Sequence, residues 1–175
     1  FNYDRCVERY LYFALMNTYR IKSDEANELL GLIAIYNPYG TISGGSQSNS
    51  IEFGGEPNAV QLLDLATSIK TFTESVDPKE SNIQELRLQI AQANRLVFLG
   101  FAFHKINMEL ISPVSCKEQC DSIIDCYATG HGISNSDCEV IEAHLKSLFD
   151  RGIKIRISNG TCNSLFNEFR KSLAF

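Results

Sequence analysis

No apolar run in this sequence is long enough to cross a bilayer: the longest, Leu96–Phe103, is eight residues, against the roughly 20 that a spanning helix needs. No basic segment followed by an apolar one opens the chain, so no secretory leader is read and a cytoplasmic setting is expected. Lys and Arg nowhere gather into a stripe, and 16 of them against 21 acidic residues leave a net charge of −5. Duplex nucleic acid, which needs such a stripe for its phosphates, is therefore not an expected partner. Cysteine is sparse, with six residues (Cys6, Cys116, Cys120, Cys126, Cys138, Cys162) and none between positions 41 and 95. The spacings of Cys116, Cys120, Cys126 and Cys138 match no common paired-cysteine zinc pattern. All six are read as reduced thiols packed as small hydrophobes, and no metal site is expected. There is no internal repeat.

What is present is enough for one core. At 175 residues and 44% hydrophobic content the chain is expected to form a single domain over residues 1–175. Val7, Tyr10, Leu11, Ala14 and Leu15 recur at steps of three and four, which predicts a helix from Asp4 to about Tyr19. A second short helix starts at Ser23-Asp24, with Ser23 and Ala26 framing its cap, and stops at Gly31. Leu32–Tyr36 reads as a strand ending in the turn Asn37-Pro38-Tyr39-Gly40. Residues 41–58, with Gly44-Gly45 and Gly54-Gly55 among Ser, Gln and Asn, read as a mobile Gly/Ser-rich loop. Ala59–Glu74 is expected to be helical in part, and Ile83, Leu86, Ile90 and Ala93 mark a helix face running to Asn94.

Leu96–Phe103 is too apolar to have a wet face and is placed as a central parallel strand. Asp125–Thr129 is a second strand candidate, followed by Gly130-His131-Gly132 and a helix through Phe149 capped at Ser134 or Ser136. Ile153–Ser158 alternates as a strand, and Cys162, Leu165, Phe166, Phe169 and Leu173 define a last helix. Strands alternating with helices predict an α/β fold, a parallel sheet flanked by helices with right-handed crossovers.

Open parallel sheets bind ligands beyond the carboxyl ends of their strands. The turns of interest are thus Asn2-Tyr3-Asp4, Asn37–Gly40, Gly100–Asn107, Gly130–Gly132 and Asn159-Gly160. Glycine lets backbone approach a ligand closely, although turns select glycine in any case. Tyr36, Tyr39, Phe101 and Phe103 are aromatic enough to line a base pocket, with core packing as the alternative.

Four of these segments, in order and in approximate spacing, carry a resemblance. Phe-Asn-Tyr-Asp-Arg at 1–5, Asn37-Pro38-Tyr39-Gly40, Phe98-Leu99-Gly100-Phe101-Ala102-Phe103 and Ile155-Arg156-Ile157-Ser158-Asn159-Gly160 resemble segments of the sirtuins and of the sirtuin-like NAD hydrolases of bacterial antiviral defence. The resemblance covers most of the chain and implies a Rossmann-like fold that lacks its first strand and phosphate loop. It implies NAD as substrate or ligand and scission of the nicotinamide-ribose bond through a cation-like transition state. Asn2 would hold the ribose and a water, Asp4 would read the nicotinamide amide, Gly100 would pack on the ribose, and Asn159 would lie near the adenosine ribose. Gly40 and Phe101 belong to the same cofactor-binding set.

Three features depart from the family. Where its His stands, this chain has Asn37, which hydrogen-bonds but cannot act as a base. His104 is the alternative titratable group, though a histidine beside an apolar strand also serves structural ends. The deacylase zinc module has no counterpart, so no zinc is expected. No Gly-rich turn precedes Phe1, and a chain beginning with Phe rather than Met suggests removal of an upstream segment. That segment or a second copy of the chain would complete the sheet. Three functions follow: an NAD hydrolase using Asn2 with Asn37 or His104, a non-catalytic nucleotide-binding module, or a protein-interaction domain.

Overall fold

A computed structural model describes residues 5–41, 51, 53–69, 81–113, 123–149 and 152–174. The chain divides into two compact units, Phe1–Asp77 and Pro78–Phe175.

In the first unit, helix α1 spans Cys6–Tyr19 and α2 spans Ser23–Gly31. Arg20, in the left-handed conformation at φ 56°, ends α1 and starts the short link between them. The link is fixed by the Tyr12 and Ser23 hydroxyls, 2.8 Å apart. The α2 cap is Lys22, whose backbone N–H donates to Glu25 Oε2 at 3.0 Å. It therefore lies one residue before the expected Ser23, and Ala26 is instead fully buried. Helix α3, Ala59–Ser68, is capped by Asn58, whose side chain accepts the Gln61 N–H while Gln61 Oε1 accepts the Asn58 N–H. This reciprocal pair satisfies two donors at the helix start.

Leu32–Tyr36 does not form the expected strand. Leu32 is 82% exposed and Ile33 48% exposed, and the segment enters no strand ladder or bridge among the described residues. An apolar run becomes a strand only where its peptide groups find a ladder, and here burial passes to Tyr39 instead. Most of the predicted loop at 41–58 lies outside the described residues.

The second unit opens with α4, Ser81–Gln92, and then builds an α/β layer. Strands β1 (Arg95–Phe98), β2 (Ile124–Thr129) and β3 (Ile153–Ser158) are parallel and lie in the order β1-β2-β3. Helix α5, Lys105–Leu110, follows β1, and α6, Asn135–Leu148, joins β2 to β3. Both lie on one face of the sheet, where Met108 and Leu145 pack with Cys126 and Ala128, flanked by Leu96, Phe98, Ile153, Ile155 and Ile157. A common face is what two crossovers of one hand give when the strands step in one direction. Strand alternation sends Tyr127 and Thr129 to the other face. There α7, Cys162–Glu168, covers β2, and the Phe169 ring lies 5.0 Å from that of Tyr127.

The central strand is β2, buried on both faces, and not the Leu96–Phe103 run. Only Leu96–Phe98 of that run is strand, within β1, and it pairs on one side among the described residues. The remaining apolar residues turn back at Gly100 (φ 60°) and Phe103 (φ 53°). Phe98, Phe101 and Phe103 then pack on one another with ring centroids 5.2–5.6 Å apart. The run is thus a short strand followed by an apolar plug at its carboxyl end. The expected last helix is likewise interrupted, ending as α7 and resuming as α8, Arg170–Leu173, with Phe169 (φ −103°, ψ 20°) between them.

Candidate functional site

Because all three strands run parallel, the turns after β1, β2 and β3 emerge at the same edge of the sheet. They are Gly100–His104, Gly130–Ser134 and Asn159–Thr161. Thr129, at the end of β2 and 5% exposed, ties the first turn to the second. Its Oγ1 accepts the Gly100 N–H at 2.8 Å and lies 3.4 Å from the Phe98 carbonyl oxygen. The second turn is tied to the third by the Gly130 N–H, which donates to the Ser158 carbonyl at 2.7 Å. Glycine at 130 is dictated by space, since a Cβ there would sit 2.8 Å from Ile157 Cγ2. At Gly100 the requirement is conformational: a Cβ would meet nothing, but φ is 60°.

Two carboxylates lie at this edge, each hydrogen-bonded to a hydroxyl. Ser134 caps α6, its Oγ accepting the Asp137 N–H at 3.1 Å and donating to Asp137 Oδ2 at 2.7 Å. Asp137 is an acid in the first turn of that helix, so the partial positive charge a phosphate would seek is already met by a carboxylate. Ser158, 8% exposed, donates to Glu168 Oε2 at 2.6 Å. Thr161 caps α7 and accepts the Ser164 N–H at 3.3 Å. An edge carrying Asp137, Glu168 and the Asn159 amide suits hydroxyl groups, such as those of a ribose, better than a pyrophosphate.

Four of the residues expected from the sequence gather here. Gly100 and His104 are exposed in the β1 turn, Phe101 is half-buried in the aromatic plug, and Asn159 is exposed after β3. His104 is the cap residue of α5 and makes no side-chain cap hydrogen bond. Phe103 is buried, so for it and for Tyr39 core packing is the observed use. Asn37 and Gly40 belong to the first unit, where the Gly40 N–H donates to the Asn37 carbonyl at 2.9 Å and Gly40 has φ 87°. Gly40 there forms an isolated antiparallel bridge to Ile69. Asn2 and Asp4 lie outside the described residues.

Sequence reasoning passed over Thr129, Ser158 and Asp137. The signal for the first two was a hydroxyl residue closing each apolar strand; for Asp137 it was an acid three residues after a Ser cap. The cysteines need correction as well. Only Cys126 of the four described is buried; Cys6 and Cys162 are exposed and Cys138 is intermediate, all four being free thiols. Burial of Cys126 pushes its thiol up to about 12 from 9.0 by desolvation. Among the described residues no three His, Cys, Asp or Glu side chains are placed to hold a metal ion. No described helix is long and apolar enough to cross a membrane.

The structure thus defines an α/β unit with a three-stranded parallel sheet whose strand-end turns are hydrogen-bonded to one another at its carboxyl edge. No family model, curated protein or solved structure matches the chain.

Proposed function

We propose that this chain is a sirtuin-like NAD-binding domain, the later part of a Rossmann-like fold, acting in the cytoplasm within an NAD hydrolase of the bacterial antiviral kind. The observation that carries the reading is the convergence of three Gly-bearing turns at one edge of a parallel sheet, Gly100 and Gly130 being fixed there by Thr129 and Ser158. The acceptors at that edge favour the ribose part of a dinucleotide. The pyrophosphate and the nicotinamide side then fall to groups beyond this edge, with an upstream strand or a second copy completing the sheet.

Calorimetric titration of NAD into the chain tests binding, and nicotinamide release tests cleavage. Saturable binding that is lost on crowding Gly130 is expected; no heat at millimolar NAD would overturn the assignment for this chain. Asn2→Ala should abolish any cleavage. A second reading, nucleotide binding without cleavage, is favoured by Asn37, an amide where the resembled family has its base. Under that reading wild-type protein binds NAD and releases no nicotinamide, while Asn37→His gains activity.

A further inference from the structure

A polar groove lies wholly within the first unit. Arg5, the cap residue of α1, and Arg9 lie four residues apart and so on one helix face. Their guanidinium carbons stand 5.9 and 5.4 Å from the ring centre of Phe53, and that of Arg9 is also 4.5 Å from the ring centre of Phe13. Arg5 Nη2 donates to the Ile51 carbonyl at 2.9 Å. With Glu8, Tyr12, Asn27 and Leu30 these residues line a groove of about 360 Å³.

Two like charges four apart on a helix repel, and neither arginine has an ion-pair partner among the described residues. Arg9 is oriented by two aromatic rings, yet its N–H donors form no hydrogen bond among the described residues. A planar donor fork held in place with its donors unspent is preorganised for a tetrahedral or planar oxyanion. Beside it Glu8 accepts only and Asn27 both donates and accepts, which suits the hydroxyls of the same ligand. Phe53, 43% exposed, and Leu30 supply an apolar wall.

We propose that this groove binds a sugar phosphate, free or as part of a nucleotide, with its phosphate on Arg5 and Arg9 and its hydroxyls on Glu8 and Asn27. The proposal stands on the first unit alone and does not depend on the reading of the sheet edge. The test titrates ribose 5-phosphate, AMP, ribose and inorganic phosphate into the whole chain at fixed ionic strength, by calorimetry and amide chemical-shift mapping. Ribose 5-phosphate or AMP should bind saturably, with ribose at least about tenfold weaker for want of the phosphate. If AMP alone binds, the nucleotide form is the ligand; if ribose 5-phosphate matches it, the free sugar phosphate suffices. Arg9→Ala should weaken binding about tenfold or more when measured well below its melting temperature, which the lost stacking on Phe13 and Phe53 lowers only slightly, and Arg9→Lys should restore only part of the affinity. Glu8→Gln should weaken ribose 5-phosphate but not inorganic phosphate. No saturable binding of either ester, or binding indifferent to Arg9→Ala, overturns the proposal. AMP binding abolished by Gly130→Ala but untouched by Arg9→Ala would overturn it while leaving the sheet-edge reading standing.

Discussion

Thr129→Val isolates the clamp that shapes the candidate site. The two side chains are nearly the same shape, so the substitution exchanges one hydroxyl for a methyl group without opening a cavity. What is lost is the acceptor for the Gly100 N–H at 2.8 Å. The 3.4 Å approach of the hydroxyl to the Phe98 carbonyl is too long and weak to count for much. An unsatisfied buried donor costs about 1–3 kcal/mol, but Gly100 is exposed and water can reach its N–H, which places the cost near 1 kcal/mol. For a unit of under 100 residues that corresponds to a fall of about 4–8 °C in melting temperature. Thr129→Ser keeps the hydroxyl and loses only a buried methyl, so it separates the hydrogen bond from packing. The assay is thermal and urea unfolding of the three proteins, with hydrogen exchange of the Gly100 amide as the local readout. Faster Gly100 exchange in the Val protein alone is expected. Equal stability and equal exchange in all three would mean that Thr129 does not hold the turn, and the site's preorganisation would have to come from elsewhere.

Other substitutions address other links. Gly130→Ala places a Cβ 2.8 Å from Ile157 Cγ2 and should cost about 1–3 kcal/mol; Ile157→Ala in the same chain should recover part of the clash, and strictly additive losses would refute it. Cys6 and Cys162 should alkylate rapidly in native protein while Cys126 reacts only on unfolding, as read by mass spectrometry of labelled peptides. Because the buried Cys126 thiol is pushed up to about 12, its contribution to stability is complete below pH 9 and is lost as pH rises toward 12, by up to about 1.4 kcal/mol per pH unit. Cys126→Ala should flatten that alkaline decline in urea titrations, and parallel curves would refute the assignment. Arg156, 2.9 Å from Asp125 and 5.0 Å over the Tyr127 ring, is partly exposed, so Arg156→Ala should cost no more than about 1 kcal/mol by denaturant midpoint.

How far the sequence could be read depended on which property each segment needed. Ile153–Ser158 was legible to the residue because its alternation matches a sheet with two differently covered faces. The α6 helix was legible from Ser134 and the Ile141, Leu145, Leu148 stripe, which the structure packs into the core. Leu32–Tyr36 and Leu96–Phe103 were not legible, for one shared reason. Apolar content says that a segment is to be buried, but a strand also needs a neighbour's peptide groups, and a single sequence does not name that neighbour.

The same distinction explains the candidate site. Gly100 and Asn159 could be placed at strand ends because glycine and asparagine punctuate chains locally. Thr129 and Ser158 could not, since their importance comes from register: Thr129 faces Ser158 across the β2-β3 ladder, and it is Thr129 that reaches Gly100 beyond β1. Pairing Phe98 with Ala128 puts Thr129 one residue past the end of the β1 ladder, where its hydroxyl meets an N–H that has just left the sheet. A hydroxyl residue one step beyond a strand's last partner is therefore what ties the first loop to the second, as the Gly130 N–H to Ser158 carbonyl bond ties the second to the third. At the edge so built the starts of α6 and α7 are already capped by Ser134 and Thr161, beside the carboxylates of Asp137 and Glu168. On the proposed reading, those carboxylates are what would direct a ribose, through its hydroxyls, to this edge.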